Sequence, residues 1–171
     1  MRSIFRWFAV LVASALGAAV GPLPASAQAS QNLWNAKSDW CLESQNQANV
    51  EVFMSECISG QREQKWVLVP AAGGHPNDYL IKPENDTGLC LDQHYSTSGP
   101  TTLLRAWQCT GVLNQRWIIS VGPTANTIMN ARSVWCLDQS HADNNTVPTS
   151  TVVAWPRCHL QDNQQWFNGV R

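Results

Sequence analysis

Trp135-Cys136-Leu137-Asp138, then Cys158, then Asn163-Gln164-Gln165-Trp166, is one of three copies of a single pattern in this chain. The second copy reads Leu89-Cys90-Leu91-Asp92, Cys109, Asn114-Gln115-Arg116-Trp117; the first reads Trp40-Cys41-Leu42-Glu43, Cys57, Gln64-Lys65-Trp66. The leading cysteines stand 49 and 46 residues apart and the closing tryptophans 51 and 49, a period close to 48. Self-similarity at this period is the mark of supersecondary units that cannot bury their apolar faces alone and share one core.

Within each unit the residues favour short strands joined by turns. Tyr79-Leu80-Ile81, Leu103 to Trp107, Asn126 to Met129 and Thr151 to Trp155 are rich in branched and aromatic side chains, which suit a pleated, half-buried surface. Asn85-Asp86-Thr87-Gly88, Ser96 to Pro100 and His141 to Asn145 carry turn residues, and Pro70 to Asn77 and Gly122 to Asn126 read as linkers between units. No helical periodicity is sustained beyond the first residues. The expectation is all-β, with units at about 33–69, 79–120 and 127–169 inside one domain of 30–171.

The first 29 residues are set apart from that domain. Arg2 and Arg6 precede an apolar stretch containing VLVASALGAAV, Pro22 and Pro24 end it, and small-x-small sites close after Ala27 and Ala29. This predicts a secretory signal peptide over 1–29; the apolar run falls short of the roughly 20 residues of a membrane span. Export to an oxidising compartment lets the six cysteines pair. Fifteen pairings are formally open, but Cys41/Cys57, Cys90/Cys109 and Cys136/Cys158 are neighbouring couples 16, 19 and 22 residues apart. There is no C-x-x-C, and the four His have no ligand spacing, so no metal or cofactor is expected. Eleven basic and twelve acidic residues in 171, with no basic cluster, give no footprint for nucleic acid. The nine Trp argue against disorder.

Three Q-x-W endings at this period, each preceded by C-L-[ED] and an internal cysteine, resemble the ricin B-chain type lectin family over about Leu33 to Trp166. The resemblance implies a β-trefoil of three repeats about a pseudo-threefold axis. It also implies disulfides within repeats, Cys41 to Cys57, Cys90 to Cys109 and Cys136 to Cys158. The implied function is a secreted lectin for galactose-type or related glycans, on polysaccharide or glycoprotein, without membrane insertion. Sugar recognition needs hydrogen-bonding groups for adjacent hydroxyls and an aromatic face for the sugar's C–H patch. By resemblance Asp92 and Asp138 are the principal acceptors and Trp107 and Trp155 the stacking platforms. Asn114 and Asn163 add direct bonds, and Gln115 and Gln164 orient the Asp or assist at the sugar. Trp66, Trp117 and Trp166 are read as core.

The first unit departs from this pattern: Glu43 replaces the Asp, Ser55 stands where the platform would be, and Glu63 replaces the Asn. Two sugar sites are therefore expected, in the second and third repeats. They differ two residues before the platform, where Arg105 and Val153 stand. His94, Tyr95 and His141 follow the Asp residues and are candidates for lining. Three other readings compete with this one. The alternative role for Asp92 and Asp138 is to anchor a turn. As an enzyme, the chain shows no carboxylate pair placed across a scissile bond and no nucleophile motif. A protein-binding trefoil with silent sugar sites is the competing class, and Asp92→Ala with Asp138→Ala separates it from a lectin. Sequons occur at Asn85 and Asn144; no dimer seam stands out, and no oligomeric state is assigned.

Overall fold

A computed structural model describes residues 29–86, 88–143 and 147–169. Residues 1–28, within the segment expected to be a signal peptide, Thr87 of the first sequon and the whole second sequon lie outside the described residues. Thirteen strands run in order: β1 (Asn32–Asn35), β2 (Trp40–Glu43), β3 (Val50–Glu51), β4 (Phe53–Glu56), β5 (Trp66–Pro70), β6 (Asp78–Pro83), β7 (Leu89–Ser96), β8 (Gly99–Gln108), β9 (Arg116–Val121), β10 (Asn126–Asn130), β11 (Cys136–Ala142), β12 (Val147–Trp155) and β13 (Gln165–Gly169). The helical elements among the described residues are three-residue 3-10 turns, Arg62–Gln64, Leu113–Gln115 and Asp162–Gln164. Each precedes the closing tryptophan of its repeat.

Antiparallel pairing links β1 to β13, β13 to β10, β10 to β9, β9 to β6 and β6 to β5. A bridge between Gln31 and Trp66 brings β5 back to the start of β1, so the ring of six strands closes and leaves no long free edge. Three hairpins, β2–β4, β7–β8 and β11–β12, complete the repeats. This is the β-trefoil.

Each repeat sends the same side chains inward. Leu33, Ile81 and Ile128 come from the first strands, Leu42, Leu91 and Leu137 from the second, Leu104 and Val152 from the third, and Val52 from the junction of β3 and β4; all are buried. Trp66, Trp117 and Trp166 are fully buried, as core residues should be. Each indole Nε1 donates to the carbonyl of its own repeat's Leu: Trp66 to Leu42, Trp117 to Leu91 and Trp166 to Leu137, at 2.9, 2.9 and 3.0 Å. A buried indole N–H needs such a partner, which explains why the C-L pair and the closing Trp occur together.

The three disulfides join Cys41 to Cys57, Cys90 to Cys109 and Cys136 to Cys158. Each ties the second strand of a repeat to the segment before the 3-10 turn. Such a crosslink stabilises by about 2–4 kcal/mol, mainly through the unfolded chain.

Candidate functional site

The glutamine that recurs in each repeat is a brace. Fully buried Gln164 donates through Nε2 to Asp138 Oδ2 (2.8 Å) and to the Arg157 carbonyl (2.9 Å), while its Oε1 accepts from the His159 N–H (2.8 Å). Gln115 does the same with Asp92 Oδ2 (3.1 Å), the Gln108 carbonyl (2.9 Å) and the Thr110 N–H (2.8 Å). Gln64 repeats the pattern with Glu43, the Glu56 carbonyl and the Ile58 N–H. One side chain thus fixes the carboxylate to the loop that leaves the disulfide.

In the third repeat β11 and β12 hold the remaining groups. The register sets Cys136 opposite Trp155 and Asp138 opposite Val153. Asn163 Nδ2 donates to Asp138 Oδ2 at 2.9 Å, so both amide bonds converge on one carboxylate oxygen. Asp138, Ser140, His141, Trp155, His159 and Asn163 line a cavity of about 330 Å³. Trp155 is 45% exposed, and His159 Nε2 lies 3.6 Å from Asp138 Oδ2. Two polar atoms here are buried without a hydrogen-bond partner, Asn163 Oδ1 and His141 Nε2.

Electrostatics define the state of these groups. Burial raises the pKa of Asp138 above the ordinary 3.8, opposed by the hydrogen bonds from Gln164 and Asn163 and then by the charges of His159 and His141. Asp92 is raised likewise by burial, against its bond from Gln115 and the charge of Arg105. Burial lowers His141 below 6.5, helped by the Lys37 charge and opposed by its bond to Gln139 and by Asp138. The imidazole is therefore neutral at neutral pH. Its Nδ1 faces the Gln139 carbonyl at 2.8 Å and must carry the proton, which leaves Nε2 as an acceptor. Asp138 thus lines the cavity beside an exposed indole face, with the unpartnered acceptors Asn163 Oδ1 and His141 Nε2 buried in residues of the same lining.

The second repeat gathers the equivalent residues in a different arrangement. Asn114 Nδ2 and Gln115 Nε2 donate to Asp92 Oδ2 at 2.8 and 3.1 Å, and Cys90 pairs with Trp107 as Cys136 does with Trp155. Here, however, Arg105 lies on the group. Its Nε is 3.4 Å from Asp92 Oδ1, and its Cζ is 4.1 Å from the Trp107 ring centroid. Tyr95 is covered by a cation too, with Arg132 Cζ 4.0 Å from its ring. His94 is half-buried, with an unpartnered Nδ1.

In the first repeat Ser55 pairs with Cys41, the register position of the two platforms. Ser55 Oγ donates to Glu43 Oε2, and Gln64 Nε2 reaches the same oxygen at 3.0 Å. The carboxylate is consumed internally.

Sequence reasoning missed His159 and Ser140 as lining residues. His159 directly follows Cys158, and its side chain enters the cavity because the loop turns back through its N–H bond to Gln164. It missed also a pair of buried asparagines: Asn35 donates to the Asn163 carbonyl and Asn130 to the Asn114 carbonyl, both at 2.9 Å. These lock the 3-10 turns that carry the site's Asn and Gln. Their signal was the parallel Asn35-x-x-Ser38 and Asn130-x-x-Ser133. Among the described residues no group of three or more His, Cys, Asp or Glu is arranged to hold a metal ion. A larger concavity, about 570 Å³, is lined by Gly111, Val112, Leu113, Arg116 and Arg132 and includes none of these carboxylates or amides.

Threefold fold and carboxylate–amide–indole sites together define a β-trefoil binding module. The chain belongs to the ricin-type beta-trefoil lectin domain family, whose model matches residues 29–166. It is thus a carbohydrate-binding trefoil. It is 24% identical over 130 residues to the ribosome-inactivating protein PMRIPt of Polygonatum multiflorum, covering 76% of this chain and 19% of that protein. The chain therefore spans about a fifth of that relative's length. Among solved structures it is similar to the designed threefold-symmetric protein ThreeFoil, with TM-score 0.68, 22% identity and coverage of 82% of this chain and 97% of that one. It is also similar to a Polyporus squamosus lectin bound to the human-type influenza-binding epitope Neu5Aca2-6Galb1-4GlcNAc, with TM-score 0.65, 20% identity and coverage of 82% and 48%. A mosquitocidal holotoxin matches at TM-score 0.71 and 19% identity, over 84% of this chain and 17% of that one.

Proposed function

We propose that this is a secreted lectin that recognises galactose-type or related glycans, on polysaccharide or glycoprotein, through the Asp-Trp-Asn-Gln set of its third repeat, the second repeat carrying the same set beneath Arg105. The observation that carries the reading is the third-repeat cavity, where the carboxylate of Asp138 and the unpartnered Asn163 Oδ1 and His141 Nε2 adjoin exposed Trp155. Sugar hydroxyls are donors that satisfy such acceptors, and the indole covers a C–H face. Asp138 is the principal acceptor, Trp155 the platform, Asn163 a second contact and Gln164 the brace that aims Asp138. Asp92, Trp107, Asn114 and Gln115 form the corresponding set in the second repeat, where Arg105 lies against Asp92 and over Trp107. The galactose class is favoured by the glycan held by the Polyporus lectin, which contains galactose. Secretion is supported by the predicted signal peptide and by three disulfides, which persist in oxidising compartments. No helix of the described residues is long and apolar enough to cross a membrane.

The test is a mixed glycan array probed with the oxidised mature protein and with its Asp92→Ala/Asp138→Ala double variant. Binding to galactose-terminated glycans that vanishes in the variant is the expected result. Absence of any glycan binding, or binding that the variant retains, overturns the reading and favours a protein-binding trefoil.

A further inference from the structure

The two complete repeats differ at one register position facing the carboxylate. In hairpin β7–β8, Asp92 pairs with Arg105; in β11–β12, Asp138 pairs with Val153. Valine has no polar group to offer and leaves Asp138 Oδ1 free of hydrogen bonds among the described residues. Arginine reaches back over its own strand. Its Nε addresses Asp92 Oδ1 at 3.4 Å, the oxygen not used by Asn114 and Gln115. The same guanidinium lies 4.1 Å from the centroid of Trp107. One cation therefore occupies both groups that a sugar would need, the carboxylate oxygen and the aromatic face.

The cation is held from a third side by another repeat. Arg105 Nη1 donates to Asn49 Oδ1 at 2.7 Å. Asn49 is fixed in the left-handed region, with φ 65°, and its N–H donates to the Ala106 carbonyl at 2.7 Å. The short strand β3 that follows it pairs with β8, Val50 opposite Ala106 and Glu51 opposite Arg105. The Arg105 side chain is accordingly only 16% exposed. A guanidinium placed over an indole ring and hydrogen-bonded to two partners keeps little freedom to move away.

We infer that Arg105 is a built-in occupant of the second-repeat pocket, so that the native chain presents one open glycan site, that of the third repeat, and holds the second latent. What the latent pocket would accept rests on the lectin reading above; the occupancy by Arg105 does not. A sugar entering this pocket must displace a charge-assisted hydrogen bond and a cation–π contact, so it binds there at least about 100-fold more weakly than in the third repeat. Removing the guanidinium exposes Asp92 Oδ1 and the Trp107 face together. It also turns a monovalent protein into a bivalent one, which gains avidity for multivalent glycan surfaces.

The experiment uses the whole oxidised mature protein, lactose as the probe, and Arg105→Val, the residue that the third repeat carries. Calorimetry should give one site per chain in the wild type, abolished by Asp138→Asn and retained in Asp92→Asn. Arg105→Val should give two, and the Asp138→Asn/Arg105→Val pair should regain one. Two sites in the wild type, a single site that depends on Asp92, or a folded Arg105→Val protein with still only one site each overturns the inference. A second measurement is independent of sugar. Hydroxyl-radical footprinting should oxidise Trp155 readily, spare Trp107 in the wild type, and label Trp107 once Arg105 is replaced by Val, or by Ala should Val not fold. Equal labelling of Trp107 and Trp155 in the wild type overturns the inference. If lactose binds to none of the proteins, the lectin reading fails for this sugar class, and footprinting alone decides the occupancy.

Discussion

Asp138→Asn separates what the third-repeat carboxylate does for binding from what it does for the fold. Asparagine has the same shape, and its orientation is dictated by its neighbours. Asn163 Nδ2 and Gln164 Nε2 both donate toward the Oδ2 position, at 2.9 and 2.8 Å, so the new side chain must place its oxygen there and its NH2 where Oδ1 was. The cavity then meets a donor instead of an anionic acceptor. Hydrogen bonds to a charged group contribute about 1.5–3 kcal/mol each. Loss of two hydroxyl bonds amounts to about 3–6 kcal/mol, at least about 100-fold in Kd.

Stability should move the other way. The folded pKa of Asp138 is raised above 3.8 by burial, so the native state holds a proton more tightly than the unfolded chain does. This linkage stabilises the native protein fully below pH 3.8 and is lost as pH rises through the folded pKa. At neutral pH the wild type carries the desolvated charge and the Asn variant does not. The variant should therefore melt at or above the wild-type temperature at pH 7, with the gap closing as pH falls toward 3.8. Glycan binding by the wild type should fade over the same acid range, starting above the pH at which an ordinary Asp protonates. Scanning calorimetry and titration calorimetry from pH 3.5 to 8 read both quantities. A variant that binds within threefold of wild type, or one that melts several degrees lower at pH 7, refutes the assigned geometry.

Three other outcomes follow from the structure. Gln64→Leu leaves the Glu56 carbonyl and the Ile58 N–H without the side chain that satisfies both, at about 3 kcal/mol, close to 10 °C in melting temperature, with glycan binding intact in the folded protein; a change under 2 °C contradicts the bracing role. Leu160 holds φ 59° and is exposed, where the matching positions of the other repeats are Gly60 and Gly111, at φ 80° and 73°. Leu160→Gly should raise stability by about 0.5–1 kcal/mol, one to a few degrees in a thermal melt, because glycine takes the left-handed region without a Cβ penalty. Trp155→Ala should abolish glycan binding on the array with a melting shift below about 2 °C, since the ring is 45% exposed; retained binding removes it as the platform.

Much of the fold was legible because its causes are repeated and local. Each Q-x-W places a glutamine on a 3-10 turn and a tryptophan at the start of the next strand, and the indole finds its own repeat's C-L carbonyl. Three copies of one solution at a fixed period leave little choice of architecture. The disulfide couples were readable for the same reason. The turn expected at His141 to Asn145 proved partly strand, since β11 runs on to Ala142; Gln139 Nε2 and Thr149 Oγ1 bond across the hairpin beyond the bulge and keep the ladder going.

By itself the sequence determined the all-β trefoil, the cysteine couples, the buried tryptophans, the family and the residues to suspect at each site. It showed Arg105 and Val153 at matching positions, and with them two sites expected to differ in affinity and preference, without the direction of the difference. Only the tertiary structure decided that Arg105 lies over Trp107 and against Asp92 while Val153 leaves Asp138 open. The decision rests on Asn49, more than fifty residues earlier, brought beside β8 by the pairing of β3. A side chain's hydrogen-bond partner across repeats is set by strand register, and local pattern carries no record of it.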